Sequence, residues 1–153
     1  MAEGLIAIAS DHAGFDLKES MKAYLAGKGL RFEDMGTVSP EAVDYPDFAA
    51  KVARAVSSGA VSRGILICGS GIGMSITANR FPRVRAALCC NAEMARLSRE
   101  HNDSNVLVLG ARFLGQAEAE DITRAWLETR FSSEGRHARR VKKIEQDDFS
   151  RPE

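Results

Sequence analysis

The sequence predicts a doubly wound, Rossmann-like α/β sandwich of three layers, with helices on both faces of a five-stranded parallel sheet and a C-terminal tail helix. Three observations predict this fold. A length of 153 residues fits one domain. Short apolar runs alternate with longer amphipathic segments. A glycine-rich loop joins a continuous apolar run to a helical pattern. We therefore assign residues 1–153 to a single domain.

The first half of the chain reads as strand, helix, strand, helix. Residues 5–9 form a short apolar run, and the apolar residues of 15–25 recur at helical spacing until glycines follow. Residues 30–35 predict a second strand. A turn-rich segment comes next, in which Asp47 is a candidate helix cap. The second helix carries Phe48, Val52 and Val56 on one face and ends before Gly59.

The second half continues the alternation. Residues 64–68 are apolar throughout and predict a central strand, which is followed by the glycine loop and a helix to about residue 80. Residues 84–89 predict a fourth strand, and Asn91 is placed to cap a helix that runs to about residue 99. A fifth strand at 106–109, a helix at 116–131 and the tail helix at 133–148 complete the fold.

Composition narrows the function classes. Twenty-one basic and 21 acidic residues give no net charge, so no overall field favours nucleic acid or an anionic membrane. No apolar run reaches the roughly 20 residues of a membrane span, and no signal peptide is recognisable at the start. Cys68, Cys89 and Cys90 have neither a CxxC pair nor zinc-finger spacing. We expect free thiols, with Cys89 and Cys90 in or near the core, and a cytoplasmic protein.

The loop after the third strand is the strongest candidate for a site. Gly69, Gly71 and Gly73 allow a ligand to approach the backbone closely, and amides at a helix start attract negative charge. The pattern is neither the dinucleotide fingerprint nor the Walker loop. Cys68 ends the strand beside these amides, which would stabilise a thiolate that acts as base or nucleophile. A tight turn without ligand and a buried filler thiol are the alternatives.

Other polar residues are weaker candidates for the same site. Asp11 and His12 end the first strand, and Arg112 follows the fifth, so all three fall at the sheet edge that carries Cys68. Asp11 could instead cap a helix, and His12 and Arg112 could be solvated surface residues. The remaining candidates are His101 and Asn102, which follow the fourth helix, Tyr45 in a turn, and Arg136 and Arg140, which share one face of the tail helix.

Five stretches, read together, resemble the type B ribose-5-phosphate isomerases, in the family that also holds galactose-6-phosphate and allose-6-phosphate isomerases. They are residues 10–14 (SDHAG), 44–46 (DYP), 64–75 (GILICGSGIGMS), 97–103 (LSREHND) and 135–137 (GRH) with Arg140. Some relatives use a glutamate of the glycine loop as base, but here Cys68 is present and position 74 is methionine. Ser70 stands where many members carry threonine.

The resemblance implies interconversion of D-ribose 5-phosphate and D-ribulose 5-phosphate, in the pentose phosphate pathway, by proton transfer between C1 and C2 through an enediolate. It assigns the base to Cys68, the hydroxyl that serves the reacting oxygens to Ser70, and ring opening to Asp11 and His101. Charge stabilisation falls to Gly69, Gly71, Gly73 and Ser75, substrate contacts to Tyr45 and Asn102, and phosphate binding to His12, Arg112, Arg136 and Arg140. It implies no cofactor and no metal.

The resemblance also implies a homodimer whose sites use residues of both chains, with the tail helix on the partner subunit, and leaves pairing into tetramers open. Three alternatives remain. The substrate could be a tetrose phosphate or an allose or galactose 6-phosphate. The chain could be a sugar-phosphate binding module without catalysis. It could also be a metal-dependent isomerase with His12, His101 and Asp11 as ligands.

Overall fold

A computed structural model describes residues 4–146 of the chain. The strands are β1 (Ile6–Ser10), β2 (Phe32–Asp34), β3 (Arg63–Cys68), β4 (Ala86–Leu88) and β5 (Val106–Gly110). The helices are α1 (Phe15–Gly27), α2 (Tyr45–Ser58), α3 (Ile72–Ala78), α4 (Ala92–Asn102), α5 (Gln116–Glu128) and α6 (Gly135–Gln146). The predicted tail helix is therefore present as α6, and positions 147 and 148 of its predicted range lie outside the described residues.

The five strands form one parallel sheet in the order β2-β1-β3-β5-β4, which confirms the predicted fold class. β3 lies at the centre, as its continuous apolar run predicts. After β1 the chain moves outward to β2 and then returns to the other side of β1 to form β3. The strand order therefore reverses between β1 and β3, and α/β sheets bind ligands at the carboxyl ends of the strands at such a point.

Side chains alternate along each strand and fill two separate cores. Ala7 and Ala9 of β1 face the core that α2 and α3 cover. Ile6 and Ile8 face the opposite core, which includes residues of α1, α4 and α5. The only tryptophan of the chain, Trp126, is fully buried there and donates its indole N–H to the Ser104 hydroxyl at 2.8 Å. Helices thus cover both faces of the sheet, and the ends of its strands remain available for a functional site.

Several helix boundaries differ from the prediction by two or three residues, and the boundaries of α2 and α4 also change where candidate residues lie. Asp44 rather than Asp47 is the N-cap of α2, because Asp44 has extended backbone and Pro46 fits the first turn, so Tyr45 belongs to the helix. α4 continues to Asn102 because Asp103 adopts the left-handed conformation that ends a helix, with φ +46°. His101 and Asn102 therefore lie in the last turn of α4 rather than after it. The predicted cap of α4 is confirmed, since Asn91 accepts the Met94 amide at 2.9 Å.

α4 carries its last turn to the amino-terminal edge of the sheet. The helix starts after β4 at the carboxyl edge and runs back beside the sheet. The carbonyl of Asn102 accepts a hydrogen bond from Nε of Arg85, which directly precedes β4. α6 packs against α4, and Arg85 also forms an ion pair with Glu145. None of the helices described over residues 4–146 is long and apolar enough to cross a membrane.

Candidate functional site

A cavity of about 420 Å³ lies at the carboxyl edge where the strand order reverses. Its volume is that of a small-molecule site. It brings together eight of the residues predicted from the sequence, namely Asp11, His12, Tyr45, Cys68, Gly69, Ser70, Gly73 and Arg112. They lie at the ends of β1, β3 and β5 or in the first turns of α2 and α3, so the cavity depends on the parallel sheet for its geometry.

Cys68 lines this cavity, and its sulfur accepts a hydrogen bond. The residue ends β3 and is 3% exposed. The backbone N–H of Gly71 donates to Sγ at 3.2 Å. A donor aimed at the sulfur stabilises negative charge there, and proton abstraction requires a thiolate. One of the loop amides predicted to serve the substrate thus serves the thiol.

The loop conformation that provides this donor requires glycine at position 71. Gly71 has φ +79° and is the N-cap of α3. A Cβ built there would lie 2.4 Å from Cδ1 of Leu88 and 3.2 Å from the carbonyl carbon of Leu109. Both the backbone angle and the available space therefore exclude a side chain.

Ser70 and Arg112 border the same loop. The hydroxyl oxygen of Ser70 accepts the Ile72 amide at 3.2 Å, which orients the hydroxyl while its own proton can be donated elsewhere. The amide of Arg112 donates to the Gly69 carbonyl at 3.0 Å. A Cβ on Gly69 would lie 3.0 Å from Cζ of Arg112, so the absent side chain makes room for the guanidinium over the loop. Guanidinium groups match the geometry of phosphate oxygens.

Tyr45 covers the other side of the loop. A Cβ on Gly73 would lie 2.4 Å from Cζ of its ring, and the residue is 40% exposed. Ser75 lies further along α3 and donates its amide to the Gly71 carbonyl at 3.0 Å. It forms part of the helix that supports the loop.

Asp11 and His12 are both held by backbone amides. Oδ1 of Asp11 accepts the Gly14 amide at 3.0 Å, so the residue supports the start of α1 and also borders the cavity. Nδ1 of His12 accepts the Val43 amide at 3.2 Å. A neutral His12 consequently carries its proton on Nε2, where it is a hydrogen-bond donor.

Six predicted residues do not line this cavity. Gly71 and Ser75 belong to the glycine loop and α3 beside it, whereas the other four lie on different helices. His101 and Asn102 end α4 at the amino edge of the sheet, and Arg136 and Arg140 lie on α6, which packs against α4. We call His101, Asn102, Arg136 and Arg140 the amino-edge cluster. A strand of five residues such as β1 is about 17 Å long, so one small ligand in the cavity does not reach this cluster within the same chain.

Sequence reasoning did not assign a role to His137. It is the buried residue of α6, and its ring stacks on that of His101 with centroids 4.2 Å apart and planes 5° apart. Burial first, and then the positive charge of His101 and Arg136, lowers the pKa of His137 below its ordinary value. A histidine inside a run of arginines and lysines was the available signal, but the sequence could not show what its ring contacts.

The three cysteines are free, as expected, but they occupy different environments. Cys89 is buried, and this burial raises its thiol pKa to about 11. Cys90 is exposed, so its predicted place in or near the core is wrong. It directly follows buried Cys89 and lies in a bend beyond the end of β4.

A larger cavity of about 1140 Å³ lies between the end of α2, the segment before β4, and α6. It is lined by Arg80, Arg83 and Arg85, but Arg83 donates to the Ser57 carbonyl and Arg85 is paired with Asp103 and Glu145. Over residues 4–146 no three histidine, cysteine or acidic side chains gather as a metal-binding group. We therefore place the site at the smaller cavity, where a thiol and a carboxylate meet.

Comparison with known proteins identifies the family of the chain. The Ribose/Galactose Isomerase family profile matches residues 6–144. Ribose-5-phosphate isomerase B of Escherichia coli is 48% identical over 139 residues, covering 91% of this chain and 93% of that protein. D-erythrulose-4-phosphate isomerase of Pectobacterium atrosepticum is 42% identical over 140 residues, covering 91% of each chain.

The fold is also similar to that of a solved structure. The crystal structure of a ribose 5-phosphate isomerase from Thermotoga maritima has a TM-score of 0.91 and 53% sequence identity, and the match covers 94% of this chain and 99% of that one. The resemblance read from five short stretches thus extends over almost the whole described chain. This protein belongs to the ribose/galactose isomerase family.

Proposed function

We propose that the chain interconverts D-ribose 5-phosphate and D-ribulose 5-phosphate, the pentose phosphate pathway reaction. The observation that carries the proposal is Cys68, whose sulfur receives the Gly71 amide at 3.2 Å in a cavity that also holds Ser70 and Asp11. Moving a proton between adjacent carbons needs a positioned base and donors near the oxygens where charge develops. Both are provided within one loop of an isomerase-family chain.

In the proposed reaction the sugar ring opens first, with Asp11 and His101 moving the proton between the ring oxygen and the anomeric hydroxyl. The Cys68 thiolate then removes the proton from C2, the C–H electrons form the C1–C2 double bond, and the carbonyl electrons move to O1, which gives an enediolate. The Ser70 hydroxyl donates its proton to O1 and takes the O2 proton in return. The electrons on O2 then form the C2 carbonyl, and C1 takes the proton held by Cys68. The ketose carbonyl now stands at C2, so atoms and charge balance.

We infer that the working enzyme is a homodimer with two shared sites. The cavity holds the base together with His12 and Arg112 for phosphate, whereas the amino-edge cluster lies at the opposite edge. Ile72 and Ile76 border the cavity and are 55% and 62% exposed, an apolar rim suited to a second copy. A partner whose amino-edge cluster covers this rim would bring His101, Asn102, Arg136 and Arg140 to the substrate.

The substrate assignment is tested by kcat/KM on aldose phosphates of four, five and six carbons. We expect D-ribose 5-phosphate to be the best substrate. A tetrose phosphate is the second candidate, because the relative from Pectobacterium atrosepticum is named for D-erythrulose 4-phosphate. A higher kcat/KM on D-erythrose 4-phosphate, or on allose or galactose 6-phosphate, would replace ribose in the assignment.

The catalytic role is tested by Cys68→Ala. We expect turnover to fall by at least about 10³-fold because the base is lost, with the affinity for a phosphate-bearing ligand nearly unchanged. Cys90→Ala is the matched control, since that thiol is exposed and outside the cavity. Turnover in Cys68→Ala equal to that in Cys90→Ala would favour another base, and a wild-type protein that binds the ligand without turnover would favour a binding module. Loss of wild-type activity after exhaustive chelation would favour the metal-dependent alternative.

A further inference from the structure

His137 connects two residues that the proposed function uses. Its ring is 6% exposed and lies face to face with that of His101, with centroids 4.2 Å apart. On its edge, Nε of Arg136 donates to Nε2 of His137 at 3.3 Å. One buried side chain therefore contacts both the imidazole assigned to ring opening and a guanidinium assigned to phosphate.

The geometry requires a neutral His137. Nε2 can accept from Arg136 only when it carries no proton, which places the proton of the ring on Nδ1. Two cationic imidazoles stacked in parallel would repel, and Arg136 and Arg140 on α6 add further positive charge. Glu134, which directly precedes α6 and pairs with Arg136 at 3.3 Å, is a compensating acid beside His137. The low pKa of His137 is consistent with this uncharged state.

The rest of the α4 end is also fixed, so that the stack has a rigid base. Arg99 is buried, pairs with Asp103 at 2.8 Å and donates to the Thr129 carbonyl at 3.4 Å. The amide of Ser132 donates to the Glu100 carbonyl at 3.1 Å, which ties the segment before α6 to α4. The His101 ring extends from this anchored turn, and His137 supplies the surface that limits its rotation.

We propose that His137 is a positioning residue: its ring holds the imidazole of His101 by stacking, and its Nε2 holds the guanidinium of Arg136. The inference rests on the proposed function, in which these two groups act on one sugar phosphate in the partner's cavity. His137 keeps the acid–base group and the phosphate-binding cation at a fixed separation. A misplacement of about 1 Å between such groups costs about 10²-fold in rate.

Two substitutions separate the two contacts. His137→Phe keeps a flat ring against His101 but removes the acceptor, so we expect KM for D-ribose 5-phosphate to rise about tenfold with kcat within about twofold of wild type. His137→Gln keeps an acceptor for Arg136 but removes the ring, so we expect kcat to fall about 10- to 100-fold with KM nearly unchanged. His137→Ala loses both contacts and should show both effects.

Arg139→Ala is the matched control, because Arg139 is exposed on the same helix and next to Arg140 in sequence. It should leave kcat and KM unchanged. Trp126 fluorescence verifies that each variant is folded. Equal losses of kcat and of kcat/KM in the Phe and Gln variants, or wild-type kinetics in His137→Ala, would overturn the proposal.

Histidine NMR tests the stack without turnover. The chain has three histidines, so the Cε1–H region holds three signals at most. The signal of His101 should move in His137→Gln and His137→Ala and stay in Arg139→Ala. If it does not move, the stack is absent in solution and the inference fails. If wild type lacks turnover on D-ribose 5-phosphate, the proposed function fails, and this signal with Kd for inorganic phosphate still decides the role of His137.

Discussion

Three identical thiols in this chain have three different chemical prospects because their surroundings differ. Cys68 ends a central strand at a cavity and receives an amide on its sulfur. Cys89 is enclosed by the core that α1, α4 and α5 cover, and Cys90 faces solvent. The sequence predicted a chemical role for Cys68 alone and placed Cys89 and Cys90 together in or near the core, whereas the fold separates those two.

Alkylation can test that separation. At pH 7.5, iodoacetamide should modify Cys90 first, and Cys89 should stay unmodified in the folded protein, because burial raises the pKa of Cys89 to about 11 and hides its sulfur. Peptide mapping by mass spectrometry after timed quenching measures each site. Modification of Cys89 as fast as that of Cys90 would contradict the structure, and unfolding in urea should make the two rates similar.

A second residue-scale prediction concerns the stability of the fold against pH. The pKa of His137 lies below its ordinary value of 6.5 in the folded chain, through burial and then the positive charge of His101 and Arg136. The unfolded chain therefore binds this proton first as pH falls, so the stability present above pH 6.5 is lost as pH falls through the lowered folded pKa.

Urea unfolding followed by Trp126 fluorescence at fixed protein concentration measures this effect. Wild type should lose more free energy of unfolding between pH 7.5 and 5.5 than His137→Phe, which keeps the ring and cannot titrate. Identical losses in the two proteins would show that His137 does not contribute to the pH dependence.

At the scale of elements, the turn from β3 to α3 depends on two separate properties of Gly71. Gly59 at the end of α2 has the same φ of +79°, but a Cβ there would meet nothing within 4 Å. Gly59→Ala therefore isolates the backbone cost, about 1–2 kcal/mol. Gly71→Ala adds the contacts with Leu88 and Leu109, so we expect a further loss of about 1–3 kcal/mol.

The same pair of variants should differ in activity. Gly71→Ala displaces the amide that donates to Cys68, so kcat should fall, whereas Gly59→Ala lies at the end of α2 and should retain it. Urea unfolding and steady-state kinetics on the two proteins measure both effects. Equal destabilisation by the two substitutions would mean that Leu88 and Leu109 move aside for the added methyl group without a loss of stability.

The elements were predictable because their signals are local. Apolar runs located β1, β3 and β5, and Asn91 marked the start of α4. The end of α4 was not predictable, because it depends on Asp103 taking a left-handed backbone and on the distant side chain of Arg85 bonding its last turn. The stack of His101 and His137 likewise joins two helices that α5 separates in the chain.

For the molecule as a whole, the candidate site residues were selected from the sequence by their chemistry. The fold places them at two opposite edges of the sheet. Asp11, Cys68 and Arg112 meet at one edge because parallel strands end together. His101 does not, because α4 runs back to the other edge before it ends. The direction of a crossover helix thus decides which candidates can share a site within one chain.

Subunit complementation tests the proposed shared site. Cys68→Ala and Arg136→Ala should each be inactive or nearly so as homodimers. In a mixed dimer, one site receives Cys68 from one chain and Arg136 from the other, both intact, and is active. Unfolding and refolding an equal mixture should restore about a quarter of the wild-type activity, since about half the dimers are mixed and each has one good site.

Each variant refolded alone is the control, and mass spectrometry under native conditions counts the mixed dimers. Mixed dimers that form but remain inactive would mean that Cys68 and Arg136 of the same chain serve one site. This result would contradict the proposed shared site.

The opposed locations of cavity and amino-edge cluster also make association a switch for catalysis. In the proposed arrangement, an isolated subunit carries part of each of two active sites and completes neither of them. Dilution below the dissociation constant would then extinguish turnover while every strand and helix stays folded, and specific activity would rise with enzyme concentration until pairing saturates.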